Sequence, residues 1–310
     1  MKLDGIHHIT CITADAPRNV DFYTRVLGLR LVKKSVNQDD PTVYHLFYAD
    51  ERGDPGSDIT FFEYPNAMPG RAGAGMVHQI TWRVASQDAI SFWTDRLGGE
   101  GIDVQRDGDH SIRFEDPEGL GLELSLVETS DAPLIAEHPE IPAQLALQGF
   151  DSVRAYANDP DASRGFLEET LGFRPREAGY EWEARGDSRG SFYWYDAPPG
   201  ERGIAGAGTV HHVAWASMNE EHAEWRRRVA DTGMHPTPII DRFYFKSIYF
   251  REPSGVLFEI ATHDPGFAAD EPLEHLGEKL ALPPNYEHLR DQLERVLTPL
   301  PDPRAARTAS

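Results

Sequence analysis

A repeated ten-residue pattern is the strongest constraint on what this chain can fold into. Gly73-Ala74-Gly75-Met76-Val77-His78-Gln79-Ile80-Thr81-Trp82 returns as Gly206-Ala207-Gly208-Thr209-Val210-His211-His212-Val213-Ala214-Trp215, with His212 where the first copy has Gln79. Shorter echoes are Gly5-Ile6-His7-His8-Ile9-Thr10 and Gly149-Phe150-Asp151-Ser152-Val153-Arg154. Each is a turn glycine followed by an alternating run with β-branched residues, which reads as a strand. Four such strands at roughly even spacing predict an internally repeated architecture.

The segments between them repeat as well. After the strand at 5–13, Val20, Tyr23, Val26 and Leu27 recur at helical spacing over 16–27, and Gly28 ends the helix. Strand-like runs follow at 29–36, 42–49 and 58–64. The same β-α-β-β-β order is expected with strands at 76–84, 102–106, 110–115 and 121–127 around a helix at 86–97. It is expected again with strands at 149–156, 173–178, 180–185 and 191–196 around a helix at 160–171. The fourth copy has strands at 209–216, 235–240, 243–251 and 256–262 around a helix at 219–232. The predicted class is α+β, with four βαβββ modules pairing into two curved-sheet half-barrel domains. The modules are 1–66, 67–128, 148–199 and 200–263. A Pro-rich linker spans 129–147. A tail, 264–310, carries one amphipathic helix over 286–297 and a frayed end from Pro299. A curved module of this kind exposes a concave face until a second completes it, so paired modules enclose a cavity suited to a ligand.

Composition limits the partners. With 51 Asp+Glu against 30 Lys+Arg the net charge is −21, which argues against nucleic acid. No apolar run approaches the ~20 residues of a membrane span. The first strand begins at once, so no signal peptide is expected. The single cysteine, Cys11, excludes an intrachain disulfide and fits a reducing, cytoplasmic setting.

Two positions per module face the cavity. In the first strand they are His8, Gln79, Ser152 and His212. In the last strand, counting four from the turn glycine gives Thr60, Glu123 and Glu259, with no clean equivalent in module 3. Only modules 1 and 4 together supply two imidazoles and a carboxylate: His8, His212 and Glu259. A 2-His-1-carboxylate face leaves coordination positions open and suits non-haem Fe(II) oxygenases. That combination requires module 1 to pair with module 4. Neighbouring strand residues point to opposite faces, which directs His7 and His211 away from His8 and His212. Glu123 reads as a hydrogen-bonded core group. The other histidines, among them His78, His222 and His263, read as structural or surface residues.

The motifs that carry a family likeness are Gly5-Ile6-His7-His8-Ile9-Thr10, Phe22-Tyr23 with Val26-Leu27-Gly28-Leu29-Arg30-Leu31-Val32-Lys33-Lys34, Tyr44-His45-Leu46, Val210-His211-His212, and Leu257-Phe258-Glu259-Ile260-Ala261-Thr262-His263. Across nearly the whole chain the sequence resembles the vicinal oxygen chelate (glyoxalase/bleomycin resistance/dioxygenase) superfamily, and within it the ring-cleaving hydroquinone 1,2-dioxygenases. The resemblance implies Fe(II), with Mn(II) as the alternative ion, on His8, His212 and Glu259. It also implies that modules 2 and 3 pair beside modules 1 and 4. It implies a small aromatic substrate and dioxygen as reactants, and is compatible with a homo-oligomer. It places His7, Thr10, His211, Arg242 and Tyr249 around the substrate. One of His7 and His211 would then be the acid–base group, and Arg242 would hold developing negative charge. Three rival functions remain. A glyoxalase-like lyase or isomerase wants more carboxylate ligation than Thr60 offers. An extradiol catechol dioxygenase would hold its metal in the two C-terminal modules. A metal-free binding or resistance protein needs no triad.

Overall fold

A computed structural model describes residues 1–176, 179–300 and 302–304. The strands are β1 (Ile6–Thr13), β2 (Arg30–Asn37), β3 (Asp40–Ala49), β4 (Asp58–Glu63), β5 (Met76–Val84), β6 (Gln105–Asp107), β7 (Ser111–Glu115) and β8 (Gly121–Leu126), then β9 (Phe150–Tyr156), β10 (Arg174–Pro175), β11 (Glu181–Arg185), β12 (Gly190–Asp196), β13 (Thr209–Ser217), β14 (Ile240–Asp241), β15 (Lys246–Arg251) and β16 (Leu257–Thr262). They form two eight-stranded sheets in the orders β14-β15-β16-β13-β1-β4-β3-β2 and β10-β11-β12-β9-β5-β8-β7-β6. Strands from the two ends of the repeat thus lie side by side in the first sheet, and those from its middle in the second. The expected α+β class of paired curved sheets is the one observed.

Each sheet is joined at its centre by antiparallel first strands, β1 with β13 and β5 with β9. The turn glycines of the ten-residue pattern make those junctions possible. Gly75 and Gly208 both take φ of 78°, a conformation that glycine adopts without steric cost. A Cβ on Gly208 would lie 2.1 Å from the Glu118 carbonyl oxygen. Helices cover the outer faces. The first is shorter than its periodicity predicts: α1 (Ala16–Asp21) passes into a wider turn, Phe22–Val26, where Leu27 N–H reaches the Phe22 carbonyl at 2.9 Å. The same widening follows α3 (Asp161–Gly165), over Phe166–Thr170. The helix α2 (Gln87–Gly99) runs past its expected glycine stop and is capped by the Ser86 hydroxyl. The largest fully buried side chains of the core are mostly aromatic, among them Tyr23, Tyr48, Trp82, Trp93, Trp215 and Trp225.

Several expected strands are shorter in the structure. The run expected at 235–240 contracts to Ile240–Asp241. Arg242 and Phe243 form a hairpin turn, with Phe243 at φ 71°, before β15 begins at Lys246. The expected strand at 173–178 is two residues long among the described residues, and 177–178 lie outside them. The last module carries α4 (His222–Asp231), and the tail helix is α5 (Arg290–Val296), preceded by a tighter turn over 284–289. The frayed end expected from Pro299 falls mostly outside the described residues.

The tail closes the outer edge of the first sheet. Ala281 N–H donates to the Lys34 carbonyl at 2.8 Å, next to a parallel bridge between Lys34 and Leu280. The fully buried Lys33 ammonium lies 2.7 Å from Asp270, also contacts Glu271, and sits over the Tyr244 ring. A buried cation requires such partners. Among the described residues no helix is long and apolar enough to cross a membrane.

Candidate metal centre

His8, His212 and Glu259 converge on the concave face of the first sheet. His8 Nε2 lies 3.4 Å from His212 Nε2 and 3.2 Å from Glu259 Oε2, and His212 Nε2 lies 2.8 Å from the same oxygen. Two ligand atoms at right angles on an ion, each about 2.1 Å from it, stand about 3.0 Å apart. The three separations fit three adjacent positions on one divalent ion. Among the described residues this is the group of His, Cys, Asp and Glu side chains close enough to share an ion. All three are buried. Register explains the convergence: Thr10 pairs with His212, His8 with Ala214, and Ala214 with Glu259.

The hydrogen bonds behind the ligand atoms fix which nitrogen faces the ion. The Thr262 carbonyl can only accept, so His7 Nε2, 3.1 Å away, carries a proton. Burial, with His8 and His263 as neighbouring charges, holds the His7 imidazole well below its ordinary range. His7 is therefore neutral, and its Nδ1 accepts from His8 Nδ1–H at 2.9 Å. That leaves the His8 Nε2 lone pair for a metal, the arrangement of a ligand oriented by its outer partner. His211 Nδ1 lies 2.8 Å from His212 Nδ1 in the same way. Glu259 Oε1 accepts from the Ser247 hydroxyl, which leaves Oε2 for the ion. Burial raises the Glu259 carboxyl and the two imidazoles outweigh it, so the group stays ionised well below the usual carboxylate range. The donor set fits a divalent metal with an affinity for nitrogen and oxygen.

The expectation that His7 and His211 point away from the site is corrected by two β-bulges. Ile6 pairs with Trp215 but His8 with Ala214, so His7 is an extra residue in β1. Thr10 pairs with His212 but Cys11 with Val210, so His211 is an extra residue in β13. A bulge re-aims the inserted side chain, and each extra histidine turns back onto the ligand beside it. Thr10, in register with His212, is buried and accepts at 2.9 Å from the Thr60 hydroxyl.

In front of the three residues is a pocket walled by Phe47, Phe62 and Phe245, with Arg242 and Tyr249 on one side and His45 on the other. Arg242 stands over the Tyr249 ring, donates to its hydroxyl oxygen at 3.3 Å, and pairs with Asp39 at 3.0 Å at the pocket rim. Of the five residues placed around the substrate, the structure sets Arg242 and Tyr249 on this wall, bonds His7 and His211 to the Nδ1 atoms of His8 and His212, and buries Thr10 against Thr60. Asp58, in register with His8, is a further buried group that the sequence reading passed over. Burial, then the charges of Asp50 and Glu259, push its carboxyl well above the usual range. Its signal was a carboxylate two residues before Thr60, on the same strand face.

The corresponding positions of the second sheet hold no such cluster. Glu123 accepts from Gln79 and, at 3.1 Å, from Arg113 Nε. His78 is bound to Asp196 at 2.9 Å. The larger open cleft beside them has Arg25 bound to Asp21 and Glu100, and among the described residues no convergent ligand set.

A family model described as "Glyoxalase/Bleomycin resistance protein/Dioxygenase superfamily" matches residues 5–124 and 149–260. The relatives include "Putative ring-cleaving dioxygenase MhqO" of Bacillus subtilis (strain 168), 42% identical over 305 residues, which cover 96% of this chain and 97% of that protein. The "Chlorohydroquinone/hydroquinone 1,2-dioxygenase" of Sphingobium indicum is 32% identical over 313 residues, 96% of each chain. A solved structure of a "putative dioxygenase from Bacillus subtilis subsp. subtilis str. 168" superposes with a TM-score of 0.90 at 39% identity, over 97% of this chain and 98% of its own. Glyoxalase I from Zea mays, at 14% identity and a TM-score of 0.59 over 88% of this chain and 96% of its own, shares the fold.

Proposed function

The chain belongs to the glyoxalase/bleomycin resistance protein/dioxygenase superfamily, and from that premise we propose that it is an Fe(II)-dependent ring-cleaving dioxygenase acting on hydroquinone-type aromatic substrates. The observation that carries the proposal is the cluster of His8 Nε2, His212 Nε2 and Glu259 Oε2, with the His8 lone pair fixed by the relay from the Thr262 carbonyl through His7. The relative named for chlorohydroquinone and hydroquinone supports the substrate class. In this reading residues 1–66 and 200–263 make the metal-holding half, and 67–128 with 148–199 its partner without metal.

When bound, iron supplies a redox-active centre with open positions for substrate and dioxygen. The residues around it do the rest. His8, His212 and Glu259 hold the ion on one face. The aromatic walls admit a flat ring and exclude water from it. Arg242 and Tyr249 donate to a substrate oxygen as it gains negative charge. His7, with both nitrogens engaged, and His211, bonded through Nδ1 to His212, orient the two ligand imidazoles; of the pair, His211 alone keeps a ring nitrogen without a partner among the described residues for the acid–base role. Thr60 stands where a lyase would need a fourth, carboxylate ligand, and its hydroxyl is bound to Thr10 and His45, which favours the dioxygenase.

The test is anaerobic iron loading, followed by oxygen uptake with hydroquinone, catechol and the methylglyoxal–glutathione adduct. Uptake with hydroquinone is the expected result. Uptake with catechol alone, or isomerisation of the adduct without oxygen, would reassign the reaction.

A further inference from the structure

The pocket wall opposite Arg242 carries a polar group that the chemistry above leaves unused, His45 on β3. Its ring centroid lies 3.9 Å from that of Phe47 and 4.4 Å from that of Phe62, so aromatic neighbours fix its orientation. Its Nε2 lies 2.9 Å from Thr60 Oγ1. The Thr60 hydroxyl donates onward to Thr10 Oγ1. Because the Thr60 proton is committed to Thr10, the Thr60 oxygen accepts from His45. Nε2 therefore carries the imidazole proton and Nδ1 the lone pair. No hydrogen bond from another described residue reaches that Nδ1, and the residue lines the pocket. Burial, with His8, His212 and Arg242 as neighbouring charges, holds the imidazole well below its ordinary range, so it is a neutral acceptor.

The two sides of the pocket are thus of opposite kind. Arg242 and Tyr249 present donors, and His45 presents an acceptor. A 1,4-dihydroxybenzene has oxygens at opposite ends of a flat ring. The oxygen that binds a metal loses its proton and needs donors; the other keeps its proton and needs an acceptor. We propose that His45 Nδ1 accepts a hydrogen bond from the ring hydroxyl that does not sit on the metal, and so selects dihydroxylated rings over rings whose second oxygen has no proton. This rests on the reading of the site as a hydroquinone dioxygenase. Thr10 and Thr60 are positioning residues for it, since they hold the tautomer.

The experiment compares hydroquinone with 4-methoxyphenol, which keeps one phenolic hydroxyl for the metal and has no proton on its second oxygen. Binding is measured calorimetrically under argon on the iron-loaded protein. Wild type binds hydroquinone about 10- to 100-fold more tightly, the effect of one hydrogen bond to an otherwise unpaired buried group. His45→Phe keeps the aromatic wall without the acceptor, and brings the ratio to about one by weakening hydroquinone alone. His45→Gln, whose amide oxygen accepts, keeps part of the preference. Equal affinities in wild type, or an undiminished ratio in His45→Phe, overturn the assignment; should His45→Phe fail to fold, the wild-type comparison and the Gln variant decide it. Oxygen uptake on the same preparations separates the two readings. A wild-type protein that prefers hydroquinone in binding but consumes no oxygen with it overturns the dioxygenase and leaves His45 as the recognition residue.

Discussion

Replacing His7 by Phe tests whether the Thr262–His7–His8 relay is what prepares the metal site. The substitution removes the acceptor 2.9 Å from His8 Nδ1 and keeps an aromatic ring beside Phe245, 5.2 Å away between centroids. His8 then has no neighbour that holds its proton on Nδ1, and its Nε2 lone pair is no longer enforced. A hydrogen bond to a group that gains positive charge on metal binding contributes roughly 1.5–3 kcal/mol. At about 1.4 kcal/mol per tenfold this is roughly a 10- to 150-fold loss of iron affinity, in line with the about 10- to 100-fold typical of a ligand's outer partner. His7→Gln should recover much of it, since its amide oxygen accepts from His8 while its amide nitrogen donates to Thr262. The assay is competition for Fe(II) against a chromophoric chelator under argon, with circular dichroism to establish an unchanged fold. Wild-type affinity in His7→Phe would refute the relay and leave His7 as a packing residue.

Three further outcomes follow from the same geometry. Glu259→Gln should abolish stoichiometric iron and remove the rise in melting temperature that iron gives wild type by binding the folded state alone; Glu123→Gln, whose charge is taken by Arg113, should retain both, and iron-dependent stabilisation in Glu259→Gln would refute the ligand assignment. Arg242→Ala should keep its iron but lose about 10²–10³-fold in turnover, the usual cost of one charge-stabilising donor, with Lys restoring only part because it lacks the planar fork; wild-type turnover would reduce Arg242 to the ion pair with Asp39. Iron affinity should be flat above neutrality and fall as pH drops, because the ligand imidazoles bind metal only when neutral; burial lowers the His212 pKa, so proton competition sets in below the usual histidine value of about 6.5, and an affinity already falling at pH 7.5 in a chelator titration would contradict that shift.

The sequence was most legible where one physical rule acts alone. The turn glycines before the repeated strands recur because only a positive φ fits there, and Gly75 and Gly208 have it. The α+β class follows from that repeat. Glu259 stood out from Glu123, which occupies the same slot four residues after a turn glycine, because its module is the one that pairs a carboxylate with two histidine slots. Legibility failed where one inserted residue broke the period of two. His7 and His211 each occupy a bulge, and nothing in a single strand's sequence marks the extra residue, since a bulge is a mismatch between two strands. Arg242 through Tyr249 reads as one continuous strand by composition, but Phe243 bends it back at φ 71°. His45 sits between Tyr44 and Leu46 in a run with little polar contrast, and its meaning emerges only with Thr60 and Thr10 beside it.

The order of strands in the first sheet also dictates when the site can come into existence. β1 has β13 as its central neighbour, and Glu259 follows later still. At a synthesis rate of about 5–20 residues per second, the roughly 200 residues between the end of the first module and Glu259 take on the order of 10–40 s to emerge. Through that interval β1 has β4 on one flank and an open hydrogen-bonding edge on the other, while β5 and β9 find each other much sooner. The second sheet can therefore form first and carry the waiting N-terminal strands beside it. A nascent chain stalled before residue 209 would hold a finished half without a metal site, and an unpaired edge that a holdase or a neighbouring nascent chain could occupy.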